Sequence, residues 1–439
     1  MKKCLVFLLV FVMAIVYCGA VTAAPTEVVF WNVLSGASGE YMQRVAEEFN
    51  AAQSDYFINM TYSGSYEESL AKYQSTTKGN RPDVIMVSTE MVAFFADNPD
   101  YFVPVQKYID EDNFDVTDIM ANLRASYSDS NGNMLCMPIG NTVVGFFYNN
   151  DILDEHGINI DDINSYEEMK VAIDKLKAEG MEHPFWIAPN SIFYTFNVTA
   201  EGLHYVDNNN GKDGVPTRTL IDEEPLKSVT MKFFQFLADL SRDDEIAPID
   251  MKNADARQMF ANGDLAFVSL TISNANLIGT LSDWTQNFSF KPSITISAGA
   301  ENHGQCTGGG TLFLGNNGTP EVERGAWEFM KFLLQPEKTA EFALTTAYLP
   351  TTVGGYNTAE YQDYVQNKFP TAQVAYEAQQ ATSEDCYNAL LPMFGDFHQI
   401  AIDYMRNIIM DPDVDIEEYT LEFAAAENEC IEMYNLQKK

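Results

Sequence analysis

Along this chain the hydrophobic positions switch repeatedly between a strand-like and a helical pattern. Val28 to Trp31 is a short apolar run of the kind a buried strand makes. Tyr41, Val45, Phe49 and Ala52 then recur at helical spacing, and Tyr56 to Tyr62 returns as a strand. Asp83 to Ser88 is a further apolar strand, entered through Gly79-Asn80-Arg81-Pro82. Val143 to Tyr148 is another, followed by Asn149-Asn150-Asp151 and a short helix ending at Gly157. Ser165 and Glu168 form a capping box for a helix through Met169, Ile173 and Leu176. Leu226, Val229, Phe233, Phe236 and Leu240 mark another helical face. Asn262-Gly263-Asp264 turns into the strand Leu265 to Leu270, and Gly308-Gly309-Gly310 leads into Thr311 to Leu314. Thr319 caps and Pro320 opens a helix whose stripe is Val322, Ala326, Met330 and Leu333. Pro336 restarts the chain, and the helix carrying Phe342 ends before Tyr348 and Pro350. Alternation of strand and helix predicts an α/β protein with parallel sheets covered by helices.

At 439 residues the chain exceeds one ordinary core, so two large lobes are expected. No tandem repeat or low-complexity linker separates them, so ordered crossovers must join them. A net charge of −37 argues against nucleic acid, whose phosphates need clustered Lys and Arg. It fits a solvated acidic surface. Lys2-Lys3, the apolar run from Cys4 to Val16 and small residues around Ala20 to Ala24 read as an export signal over residues 1–24. Two readings of its end stand side by side: cleavage near Ala23 or Ala24, and a lipoprotein signal over residues 1–17 with a lipid on Cys18. Either places the mature protein outside the cytoplasmic membrane, periplasmic or extracellular.

Cys136, Cys306, Cys386 and Cys430 are too far apart for a C-x-x-C motif; an exported chain permits one disulfide, with Cys386 and Cys430 the first pair to examine. His156, His183, His204, His303 and His398 show no metal-binding spacing. Asp411, Asp413, Asp415 and Glu422 match an EF-hand spacing, but Ile416 replaces the turn glycine and Pro412 intrudes, so calcium is not expected. Asp207-Asn208-Asn209-Asn210-Gly211 reads as a solvent turn. No P-loop or G-x-S-x-G is present.

Ala326-Trp327-Glu328-Phe329, Pro336-Glu337-Lys338-Thr339-Ala340 and Tyr348-Leu349-Pro350 together resemble the closing signature of extracellular solute-binding proteins. These are the capture components of ABC importers, in the branch for sugars and glycerol phosphates. Phe30-Trp31, Tyr62-x-Gly64-x-Tyr66-Glu67, Pro82-Asp83-Val84-Ile85, Tyr148-Asn149-Asn150-Asp151 and Phe260-Ala261-Asn262-Gly263-Asp264 are similar to further family segments, in order over nearly the whole chain. The resemblance implies a two-lobe α/β periplasmic-binding-protein-like fold with the ligand cleft between lobes. It places residues 26–139 and 272–335 in the first lobe and 140–271 and 336–439 in the second. Hinges are expected near Ile139 to Thr142 and near Leu270 to Thr271. It implies ligand contacts at Tyr66, Glu90, Thr142, Thr271, Gly309 and Tyr348, with Thr89 competing for the place of Glu90 because the match slips by one residue there. Trp31 and Trp186 are expected in the core.

Glycerol-phosphate-binding members hold phosphate with an arginine whose place here falls on Ala401. Arg406, five residues on, is turned about 140° away on the helix. The expected ligand is therefore a neutral sugar or oligosaccharide, and the expected partners are the permease subunits of an ABC importer. The chain is expected to act as a monomer without cofactor, metal or catalytic residue. A secreted carbohydrate-active enzyme with two catalytic carboxylates, a sugar sensor, and a binder of a glycerol phosphate ester remain the alternatives.

Overall fold

A computed structural model of the protein describes residues 24–292, 294–317 and 319–438; residues 1–23 of the expected export signal, with Cys18 and Ala23, lie outside them. The strands are β1 (Thr26–Asn32), β2 (Tyr56–Tyr62), β3 (Val84–Ser88), β4 (Phe102–Val103), β5 (Met137–Pro138), β6 (Val144–Asn149), β7 (Phe185–Ile187), β8 (Phe267–Thr271), β9 (Phe288–Pro292) and β10 (Gly310–Gly315). They form two sheets, one in the order β2-β1-β3-β10-β4 with β5 also on β10, the other β7-β8-β6-β9. Both sheets are mixed, not parallel throughout. β1 runs parallel to β2 and β3, but β10 lies antiparallel to β3, with Gly310 opposite Ser88. In the second sheet β7 and β8 are parallel, while β6 runs antiparallel to both β8 and β9. The reversed strands come from segments that cross between sheets, which arrive from the opposite direction and pair without a βαβ crossover.

The helices that frame these sheets are α1 (Gly36–Ala52), α2 (Tyr66–Ser75), α3 (Tyr166–Ala178), α4 (Ile192–Ala200), α5 (Leu226–Arg242), α6 (Asn253–Asn262), α7 (Pro320–Leu333), α8 (Pro336–Thr346), α9 (Phe394–Met410) and α10 (Ile416–Gln437). Tyr41, Val45 and Phe49 of α1 are buried as the spacing requires, while Ala52 is exposed at the last turn. The predicted stripe of α5 is buried from Leu226 to Leu240. At α3 the Ser165 hydroxyl accepts from the Glu168 N–H (3.1 Å), but the Glu168 carboxylate reaches back to the Asn164 N–H (2.7 Å) and not to Ser165. A complete capping box stands instead at α2, between Ser65 and Glu68.

The expected division into lobes differs from the pairing in two places. β9, expected with the first lobe, pairs with β6 in the second sheet, and α8, expected with the second, packs on α1 beside the first. Trp31 and Trp186 are core residues. The four cysteines of the described residues are free thiols, so no Cys386–Cys430 disulfide forms. The EF-hand-like residues are occupied otherwise: Asp415 caps α10 and Asp413 pairs with Arg242. Among the described residues no helix is long and apolar enough to cross a membrane.

Candidate functional site

β3 ends at Ser88 and the chain turns at once through Thr89 and Glu90. The Thr89 hydroxyl is spent on the fold, donating to the Gly309 carbonyl (3.1 Å) and lying 2.9 Å from the Tyr127 hydroxyl. Glu90 is thus the member of the pair that lines a cavity. Burial raises its pKa; its own backbone N–H and the Ser88 hydroxyl favour the ionised form but do not outweigh burial. Facing it are Ser191 before α4 and Phe394, His398 and Ala401 on α9. His398 Nδ1 meets the Ser191 hydroxyl at 2.5 Å, and its ring stacks on Phe394 with centroids 5.1 Å apart. Burial lowers the pKa of His398, leaving it neutral at pH 7. The enclosed space is about 20 Å³, room for one water.

Beside this cavity, glycines set the separation of two tyrosines and two crossing segments. A Cβ on Gly140 would lie 2.6 Å from the Tyr348 ring, and one on Gly310 would lie 2.9 Å from the Tyr66 hydroxyl. Gly309, at φ +116°, has Gly140 backbone atoms 2.8 Å from where its Cβ would stand. Only residues without side chains allow this approach. Thr142 is bridged to Gly308 by two backbone hydrogen bonds, 3.0 and 2.9 Å, while its hydroxyl is buried with no hydrogen-bond partner among the described residues; the Tyr66 hydroxyl is buried and faces that of Tyr348. Burial holds the Tyr66 pKa well above its usual value, and burial followed by the Glu90 charge pushes Tyr348 up to about 12. Both phenols are therefore protonated donors, set beside a carboxylate acceptor.

Tyr66, Glu90, Thr142, Gly309 and Tyr348 gather around this junction of the two sheets. Thr271 does not line the Glu90 cavity. Its hydroxyl lies 2.8 Å from that of Ser273 and accepts from Asn274 Nδ2 (3.1 Å), and it borders a separate hollow of about 510 Å³. Ser191, Phe394 and His398 were not singled out as site residues in the sequence. They carry no motif, and Ser191 and His398 are 207 positions apart.

A profile of the bacterial extracellular solute-binding proteins matches residues 44–370. The chain belongs to this family. Among its relatives, the sn-glycerol-3-phosphate-binding periplasmic protein UgpB of Yersinia pestis is 27% identical over 363 residues, 80% of each chain. UgpB of Salmonella typhimurium is 26% identical over 360 residues, again 80% of each. Solved structures of similar fold include the sugar-binding protein MalE of Xanthomonas citri, with TM-score 0.77, 15% identity and coverage of 94% of this chain and 98% of that one. UgpB of Mycobacterium tuberculosis in complex with glycerophosphocholine gives 0.74 and 19%, covering 94% and 100%. The cyclic alpha-maltosyl-1,6-maltose binding protein of Arthrobacter globiformis gives 0.74 and 16%, covering 93% and 99%. At these identities the structures speak for the two-lobe fold alone. In a solute-binding protein of this fold the residues gathered above stand at the junction of the lobes, where open α/β sheets present the ends of their strands.

Proposed function

We propose that the protein captures an uncharged saccharide outside the cytoplasmic membrane, as a monomer, and delivers it to the permease of an ABC importer. The observation that carries the ligand class is the lining of the Glu90 cavity: a carboxylate on one side, His398 neutral on the other, Ala401 where an arginine would hold phosphate, and no lysine or arginine. A phosphate ester there would lose a bidentate charge-assisted pair and face Glu90. A sugar hydroxyl instead finds an acceptor in Glu90 and donors in Tyr66 and Tyr348, whose rings suit a sugar face. Closure follows from bending at residues 139–142 and in the segment around Gly308; residues 270–271 lead on into β9 of the same second sheet, so the hinge expected there is not a crossing.

The alternative of an enzyme has one feature to weigh, the Ser191–His398 contact. No hydrogen bond to a carboxylate orients the His398 ring, as a nucleophile–base pair requires, among the described residues. We read the pair as a wall of the site, and the ligand leaves it chemically unchanged. Calorimetry with glycerol 3-phosphate beside a panel of neutral mono- and oligosaccharides tests the reading, with chromatography of the recovered ligand. Saturable binding of a neutral sugar without turnover is expected. Micromolar binding of the phosphate ester with no response to any sugar would overturn the ligand class in favour of the activity named for UgpB.

A further inference from the structure

The hollow bordered by Thr271 is chemically the opposite of the Glu90 cavity. It borders the loop carrying Ser191 and is walled by Asn190, Asp250, Lys252, Thr271, Asn274 and Arg406. In a chain with 63 acidic and 26 basic residues, Arg406 makes no ion pair or side-chain hydrogen bond among the described residues, and its Nε is buried without a partner. A guanidinium carries five N–H donors and accepts nothing, so in the half-buried Arg406 the buried Nε–H is a donor waiting for an acceptor. Lys252, exposed beside it, is likewise unpaired, and no side chain caps the start of α6 that it precedes.

Hydrogen bonds in the wall run toward the hollow. Arg257 donates to Asn274 Oδ1 (2.8 Å), and Asn274 Nδ2 in turn donates to Thr271 Oγ1 (3.1 Å). With that bond accepted, the Thr271 hydroxyl can donate to an anion when the Ser273 hydroxyl, 2.8 Å away, donates to it in turn. Arg257, too, has no acidic partner, and burial lowers its pKa. Opposing charges are Asp250 in the wall and Asp255 in the first turn of α6, both exposed. The chain's overall negative field is screened within about 8 Å at physiological salt, so donors in contact with a ligand outweigh it.

We propose that this hollow binds a carboxylate or phosphate group, held by Arg406 with Lys252 and the Thr271 hydroxyl. The group belongs either to a separate small anion or to an acidic substituent of the saccharide in the Glu90 cleft. The second source rests on the saccharide part of the reading above and would replace its uncharged class by an acidic one; the first does not.

The test titrates the mature chain, and its Arg406→Gln and Lys252→Gln variants, with inorganic phosphate and with glucuronate. It adds a neutral oligosaccharide that binds and the same oligosaccharide bearing a uronate. Melting temperatures confirm that each variant is folded. Binding of phosphate or glucuronate, weakened about ten- to a hundredfold by Arg406→Gln and less by Lys252→Gln, is expected. Neutral-sugar affinity should not change. If the uronate-bearing sugar binds more tightly than its neutral parent and Arg406→Gln abolishes that advantage, the group is part of the ligand. If phosphate and the neutral sugar bind without influencing each other, it is a separate anion. Absence of any anion binding by the unaltered chain, or equal anion affinity after Arg406→Gln, overturns the proposal. Failure of the saccharide reading would show differently, as a phosphate isotherm with no response to any sugar.

Discussion

Gly309→Ala is expected to destabilise the protein strongly although it adds a single methyl group. At φ +116° an L-residue is strained by roughly 1–3 kcal/mol. The added carbon would also stand 2.8 Å from the carbonyl carbon and oxygen of Gly140, backbone atoms that cannot rotate away. Overpacking of this kind costs about 1–3 kcal/mol. Together the loss is about 2–6 kcal/mol, a large part of the 5–15 kcal/mol typical of a native protein. The damage is not confined to stability. The Gly309 carbonyl accepts from both the N–H (3.0 Å) and the hydroxyl (3.1 Å) of Thr89, so moving it moves Glu90. Urea unfolding followed by circular dichroism measures the loss, and calorimetry with the identified ligand measures the effect on affinity. Gly79→Ala is the control, with nothing within 4 Å of the new carbon and no positive φ; it should stay within about 0.5 kcal/mol. A loss below about 1 kcal/mol for Gly309→Ala would refute the steric reasoning.

Glu90→Gln should separate stability from binding. Because burial raises the Glu90 pKa, its ionisation works against folding once the pH exceeds the unfolded carboxyl value near 4.3, so the variant gains stability at pH 8 and not at pH 4. Its ligand affinity should fall about five- to tenfold, as a charged acceptor becomes neutral; unchanged affinity would remove Glu90 from the site. Glu427 is fully buried on α10, accepts from the Tyr205 hydroxyl, and has its pKa held well above normal by burial. By the same sign, Glu427→Gln should be more stable than the parent at pH 8 and equal to it at pH 4 in chemical denaturation, and a pH-independent difference would contradict this. Asp97, after β3, binds the end of α10 through the Tyr434 hydroxyl (2.5 Å) and Lys438 (2.7 Å). Asp97→Ala should weaken ligand binding several-fold by about 1 kcal/mol, mostly through Tyr434, since Lys438 is exposed, and should enlarge the radius of gyration in small-angle scattering; neither change occurring would make the contact irrelevant to closure.

The helices and strands were legible because their signals are local. The stripes of α1, α5 and α7 and the apolar runs of β1, β3 and β6 lie at the positions their spacing predicts. Strand direction was not legible. β10 meets β3 more than 200 positions away, and nothing in Thr311 to Leu314 says that it enters antiparallel. β9 escaped for another reason: Phe288–Pro292 alternates apolar and polar residues but is only five residues long and ends in proline, and its pairing with β6 places it in the sheet opposite to the one expected. At the site, the choice between Thr89 and Glu90 needed the geometry, because both are polar and adjacent and only the Gly309 carbonyl reveals which one is committed to the fold. His398 was visible only as a residue near a missing arginine. That it faces Glu90, and is kept uncharged by burial, depends on how α9 packs against the turn before α4.

The glycines at the lobe junction also bear on how the site holds a ligand. Tyr348 packs directly over Gly140 and the Tyr66 hydroxyl over Gly310, so one side of each side chain is taken up by backbone. A side chain at either glycine would lift the ring above it. Without one, each phenol is pinned before any ligand arrives, and little rotamer freedom remains to be lost on binding. A sugar can then approach each ring only from the side away from the glycines. The same close approach ties ring position to the crossing segments, since Gly140 and Gly308 to Gly310 are themselves the chain between the sheets. On the proposed reading, bending at those segments moves Tyr66 and Tyr348 relative to each other, so the proposed site and the proposed hinge share one set of residues. This is why substitutions here should change affinity and closure together, whereas a change at Arg406 should alter anion affinity without touching the hinge.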